Sequence, residues 1–230
     1  LKGVILCAPA SQAKSSVAWA AQIVDWVPFL DYTHKGADID FAKYESFPLN
    51  AGAQVHDLMN LLATRLEGGS KIPDIPLLTI TTEVDSTIET NATIGLLAKW
   101  HNATTRNTKQ QDTLFYFGSS DSIASLPNSV TRTFAACRNQ TYCDSILNVA
   151  HTSLTNAPTN IHYGWQGSYR NCETAFNSEH YKTCKTTTTV TLGETTSENL
   201  AQHPSIQRLT FNPSFEQMTD AISNFVAKTQ

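Results

Sequence analysis

Apolar residues fall along this chain in two patterns. Short, nearly continuous runs lie at residues 3–8, 77–81 and 114–117. Runs of that length without polar alternation read as strands covered on both faces. Longer stretches carry apolar residues at helical spacing. Val17, Ala20, Ala21, Val24 and Val27 predict a helix over 16–29. Val55, Leu58, Met59, Leu62 and Leu66 form a stripe over 51–66, and Gly68-Gly69 close it. Ile94, Leu97 and Ala98 place a helix near 92–100. Phe215, Met218, Ile222, Phe225 and Val226 mark a last helix, with Asn212 as N-cap and Pro213 at its first position. Residues 145–150 alternate enough to predict a strand leading to His151, and the threonine-rich run of 185–196 predicts a β-ribbon. Residues 32–40 read as irregular, and 118–144 as a polar insertion.

The stretch from Pro76 to Ile88 organises the rest. An apolar strand ends in a polar turn that presents Asp85, and a helix and another strand follow. Open α/β sheets place functional groups at such strand tips. The fold class expected is therefore α/β, a mostly parallel sheet with flanking helices.

Composition narrows the partners. The 230 residues are 40% hydrophobic and 16% charged, with a net charge of -4. No concentrated basic face is visible, so nucleic acid is not an expected partner. No apolar run of about 18 residues exists, so no membrane-spanning segment is expected. The chain opens inside an apolar run, from which we expect that something precedes it. Cys7 reads as a buried free thiol. Cys137 with Cys143, and Cys172 with Cys184, are local pairs in polar loops, as a secreted or periplasmic protein would use for disulfides. Free thiols, or a metal held by Cys172, His180 and Cys184, stay open as alternatives. Asn91, Asn102 and Asn139 head Asn-x-Thr sequons.

Several of these segments resemble parts of the α/β-hydrolases. Residues 77–88 resemble the strand and turn that carry the acid of a catalytic triad. Residues 2–9 resemble the strand after the nucleophile helix. Phe47-Pro-Leu-Asn-Ala51 resembles the return from cap to core in the serine aminopeptidase, monoglyceride-lipase-like and carboxylesterase group. His151-Thr-Ser-Leu154 resembles the loop that carries the histidine. The resemblance implies that 1–230 is a C-terminal portion of that fold with loop and β-ribbon insertions. It would comprise a strand at 1–10, a cap-like helical region at 11–70, a core strand-helix-strand at 71–117, an insertion at 118–144, and the His loop, Cys-rich insertion and C-terminal helix at 145–230.

The resemblance also implies chemistry: hydrolysis of an ester or amide bond, with Asp85 as acid and His151 as base, in the family's order. No Gly-x-Ser-x-Gly occurs in the sequence. The nucleophile would then lie upstream of Leu1, and the chain alone is expected to be inactive. Its sheet edge would pair with the missing half or self-associate. No cofactor and no metal are expected. Asp112 and Asp121 are the alternative acids. His34, His101 and His203 read as solvated, His56 as structural, and His162 and His180 as packed or ligand-binding. Ser153 follows the acid, which fits the family order badly, and Cys7 lacks a Gly-flanked turn. Tyr163, Trp165 and Tyr169 line a pocket or pack a loop. Two rivals remain: a non-catalytic binding module built on the aromatic and Cys-rich loops, and a flavodoxin-like domain, for which Pro9-Ala-Ser-Gln-Ala-Lys14 is a poor phosphate loop.

Overall fold

The computed structural model describes residues 1–15, 20, 32–34, 47–67, 72–104, 111–172, 184 and 190–229. The expected helix at 16–29 and most of the Thr-rich run lie outside the described residues, as does His180.

Four parallel strands form the central sheet: β1 (Val4–Cys7), β4 (Leu77–Thr82), β5 (Thr113–Phe117) and β6 (Thr131–Phe134), in the order β1-β4-β5-β6. β4 is central and buried at all six positions, and its sequence accordingly carries no charged residue. Its side chains still alternate between faces. Leu77 joins Leu114, Tyr116 and the helix α2 (Thr90–Ala103) through Ile94 and Leu97 on one face. Leu78 and Ile80 join Phe115, Phe117 and the C-terminal helix α5 (Phe215–Thr229) through Met218 and Phe225 on the other. The fold is thus α/β, with helices on both sides of a parallel sheet.

The remaining elements are small. β2 (Tyr32–His34) pairs antiparallel with β3 (Phe47–Pro48), which runs into the helix α1 (Leu49–Glu67). Two further helices, α3 (Gln140–Cys143) and α4 (Ser197–Gln202), are short. β7 (Leu192–Gly193) pairs in parallel with β8 (Gln207–Arg208). Disulfides join Cys137 to Cys143 and Cys172 to Cys184, so the metal alternative for Cys172 and Cys184 falls. No helix among the described residues is long and apolar enough to cross a membrane.

Several expectations are corrected. Residues 131–134, read as insertion, are the fourth strand; a central sheet supplies their partner, and their polarity reflects an exposed edge. Residues 145–150 form no strand. Ile146 makes a single bridge to Leu192, and Asn148 then turns its amide oxygen onto the Glu194 N–H at 2.6 Å, which ends the pairing. The stripe on α1 is only partly covered: Ala53 and Met59 are buried, but Val55 and Leu58 are exposed. Cys7 is a free thiol but an exposed one, because it shares the outward face of edge strand β1 with Ile5. His101 is buried rather than solvated, for reasons given below. Residues 32–34, read as irregular, form β2.

Candidate active site

Asp85 sits three residues beyond β4, where the sheet ends and backbone N–H groups lose their strand partners. Its Oδ1 accepts from the N–H of Thr87 at 2.7 Å and of Ile88 at 3.0 Å, which closes the turn. The segment after β1 clamps the same turn. Lys14 donates to the Asp85 carbonyl at 2.7 Å, and Ala13 bridges to Ile88. That segment begins at Ala8, whose φ of 43° is the left-handed conformation that a Cβ disfavours by about 1 kcal/mol. The chain holds that strain where β1 turns to meet the Asp85 loop.

His151 opens a 3-10 turn, His151–Ser153. The buried Ser153 hydroxyl donates to the Ala150 carbonyl at 2.7 Å, so Ser153 holds the turn and is not placed as a nucleophile. The turn brings His151 Nδ1 to 2.9 Å from Asp85 Oδ1. The approach lies off the line of the ring N–H, which leaves Nδ1 buried without an in-line acceptor. The cause is local. A carboxylate oxygen has two in-plane lone pairs, and the Thr87 and Ile88 amides approach the same Oδ1. The contact is a close ion pair rather than a linear hydrogen bond.

A second carboxylate completes the cluster. Glu194, fully buried just after β7, places Oε2 at 3.6 Å from His151 Nδ1. Its charge is matched by Arg208 of β8, with Nε at 2.9 Å from Oε1 and Nη2 at 3.1 Å from Oε2. Ser86, beside Asp85, donates to Glu194 Oε1 at 2.9 Å. The parallel pairing of β7 with β8 sets Glu194 and Arg208 against each other. Sequence reasoning missed both. The available signal was a lone acidic residue inside a neutral Thr-rich run.

These contacts set the protonation states. Burial pushes the Glu194 carboxyl up, but His151 and Arg208 outweigh it and hold it at about 2, against an ordinary 4.5. Burial likewise opposes ionisation of Asp85, yet His151 and the Ile88 and Thr87 amides leave it below its ordinary value. For His151, burial favours the neutral ring and Arg208 adds to that. The Asp85 and Glu194 carboxylates win, and its value rises.

Stability should follow. A carboxyl held at about 2 instead of 4.5 contributes about 3 kcal/mol. That contribution is present above pH 4.5 and lost as the pH falls toward 2; the Asp85 contribution is lost in the same direction. The His151 contribution is present below its ordinary value of 6.5 and lost as the pH rises through its raised value. Thermal unfolding across pH should therefore show a maximum between about 4.5 and 6.5 from this cluster. In Glu194→Gln the acid-side slope should flatten. An unchanged slope would contradict these assignments.

Asp85, His151 and Glu194 present ligand atoms within 4.8 Å of one another, a set that could hold a cation. Arg208 argues against it, since its guanidinium already neutralises Glu194 and would repel a metal.

Two cavities lie near chain neighbours of the cluster, and neither is lined by Asp85, His151 or Glu194. One, of about 260 Å³, is lined by Arg208, Trp165, Tyr169, Leu192 and Phe211 among others. The other, of about 320 Å³, opens at the carboxyl ends of β4 and β5 beside Val84, Gly118 and Val149. Trp165 and Tyr169 thus line the first cavity, while Tyr163 packs edge-on against Tyr169. The loop that carries them is compact. A Cβ on Gly164 would lie 2.3 Å from the Pro158 carbonyl oxygen.

The other acid candidates lie elsewhere. Asp121 is exposed in a 3-10 turn, and Asp112 pairs with His101 at the amino-terminal end of the central strands. His56 is half-buried on α1 and bonded to Asn60, and His162 meets Ser168 in the aromatic loop. No protein-family profile, curated protein or solved structure matches the chain.

Proposed function

We propose that this chain supplies the acid and base of a serine hydrolase of the α/β-hydrolase type, acting on an ester or amide bond. Asp85 orients and charges His151, and His151 serves as general base. The nucleophile is the serine of a Gly-x-Ser-x-Gly turn outside these 230 residues. The observation that carries this reading is the 2.9 Å approach of Asp85 Oδ1 to His151 Nδ1 at the carboxyl end of the sheet.

The chemistry follows from that contact. Two carboxylates beside Nδ1 favour the tautomer with its proton there and leave the Nε2 lone pair for the substrate side. Nε2 takes the proton of the attacking hydroxyl as the new carbon–oxygen bond forms. Asp85 and Glu194 stabilise the imidazolium, which then protonates the leaving group. Water repeats the sequence to release the acyl group.

The sheet edge supports the placement of the nucleophile. Among the described residues no strand pairs with the outer edge of β1, and Ile5 is exposed there. A parallel strand added at that edge would end beside β1, on the side of the sheet that carries Asp85. The missing half, or a second copy, is the partner implied. Trp165 and Tyr169 would shape the substrate cavity. The two disulfides are compatible with secretion.

The coding sequence upstream of Leu1 tests this reading. A Gly-x-Ser-x-Gly within about 30 codons is expected, the length of a helix and its connections. The longer protein should then hydrolyse aryl esters and react with a fluorophosphonate at that serine. A longer protein without such a motif and without esterase activity would overturn the reading and favour a binding module.

A further inference from the structure

The chain contains a serine-histidine-aspartate constellation of its own, at the amino-terminal end of the central strands and independent of the reading above. His101 lies in the last turn of α2, on the face of Ile94 and Leu97, and is 2% exposed. Its Nδ1 is 2.9 Å from Oδ2 of Asp112, the fully buried residue just before β5. The other oxygen of Asp112 accepts from the Leu77 N–H at 2.9 Å, at the first residue of β4. His101 Nε2 lies 2.6 Å from Oγ of Ser129, two residues before β6. Ser129 is exposed.

These partners fix the tautomer. An ionised Asp112 can only accept, so Nδ1 carries the ring proton in the neutral histidine. Nε2 is then the acceptor, and the Ser129 hydroxyl donates to it. The local chain holds the serine in place. Val130 N–H closes a turn onto the Pro127 carbonyl at 3.1 Å, and Arg132 donates to the Leu126 and Pro127 carbonyls. A purely structural bridge would gain most from burying all three groups. Here acid and base are buried, and the serine is an exposed residue.

Ser129 cannot serve His151. Asp112 binds the first residue of β4 and Asp85 follows the last, and six strand residues span about 20 Å.

The geometry points to Ser129 as an activated nucleophile, with His101 as its base and Asp112 as the residue that positions His101. The substrate class is an activated carboxylic ester, such as an aryl acetate, whose good leaving group suits an exposed serine. The Ser129 Oγ–carbon bond forms and the carbon–aryloxide bond breaks. The hydroxyl proton passes to His101 Nε2 and then to the aryloxide. Water hydrolyses the acyl-serine to the free acid and restores the hydroxyl.

The experiment traps the first step with a fluorophosphonate. The Oγ–phosphorus bond forms, fluoride leaves and the proton goes to His101, giving a stable adduct. Trypsin releases residues 110–132 as one peptide, which also contains Ser119, Ser120, Ser122 and Ser125 as internal controls. Fragmentation should place the adduct on Ser129, formed at least about 100-fold faster than on Ser125, the usual scale of general-base assistance. Ser129→Ala should leave the peptide unmodified. His101→Gln, checked for folding by thermal melting, should slow labelling by a similar factor. The wild-type distribution decides the matter even if that variant fails to fold. Labelling of Ser129 no faster than of Ser125 would overturn the assignment.

Discussion

Asp85→Asn is expected to lower kcat for ester hydrolysis by about 10⁴-fold in the active protein, with little change in KM. The magnitude is that of removing the charge behind a triad histidine. The atom that matters is Asp85 Oδ1. It accepts from the Thr87 and Ile88 amides, and asparagine keeps an oxygen for that work. The turn should survive, so the loss reports charge and tautomer rather than unfolding. Asparagine offers His151 no negative charge, so the proton on Nδ1 loses its nearer carboxylate. Glu194 at 3.6 Å makes the outcome more interesting. A second carboxylate can support the imidazolium in part, so Glu194→Gln alone should cost less than Asp85→Asn. The double variant should lose more than either single one. Steady-state kinetics on the three proteins, with thermal melting as the folding check, decide it. Equal losses from Asp85→Asn and Glu194→Gln would reverse the ranking of the two acids.

Arg208→Met carries the largest expected effect on stability, a loss of about 3–5 kcal/mol. Methionine keeps the apolar stem in place and removes only the guanidinium. Glu194 is then left fully buried without its cation. Removing one partner of a buried pair strands a charge, whereas removing both does not. Glu194→Leu with Arg208→Met should therefore recover much of what the single variant loses. Urea unfolding of the two variants measures both quantities. A single-variant loss below about 1 kcal/mol would mean that water, not Arg208, satisfies the carboxylate.

The central sheet was legible because its strands are buried on both faces. Leu77–Thr82 and Thr113–Phe117 carry no charge and hold Leu77, Leu78, Ile80 and the run Leu114 to Phe117, which fits burial on both faces. Thr131–Phe134 was not legible, because an edge strand with an exposed face carries polar residues and resembles a loop. Asp85 could be anticipated from a strand tip and His151 from its place late in the chain, although the strand expected before His151 does not form. Glu194 and Arg208 could not, because Glu194 reaches Ser86 across 108 residues and no local pattern encodes such a contact. His101 is a different case. The polar neighbours Asn102 and Thr104 suggested solvent, but Ile94, Leu97 and His101 fall at i, i+3 and i+7. That spacing already put the ring on the buried face. Asp112, ranked as a spare acid for His151, was instead the partner of that ring.

The helix α1 departs from its sequence pattern in the opposite sense. Its stripe is well formed, yet Leu58 is 64% exposed. Helical periodicity shows that a face can be buried, and it does not say against what.

The electrostatic core of the account is that Asp85 and Glu194 together hold His151 more basic than an ordinary histidine. NMR titration of the His151 ring in the 230-residue chain tests this without a nucleophile or a substrate. In the wild type, His151 should titrate above the ordinary imidazole value, because its two carboxylates outweigh burial and Arg208. In Asp85→Asn the midpoint should fall, and in Arg208→Met it should rise. A His151 midpoint that is the same in the wild type and in Asp85→Asn would show that Asp85 does not act on the ring, and the proposed acid–base pair would be wrong.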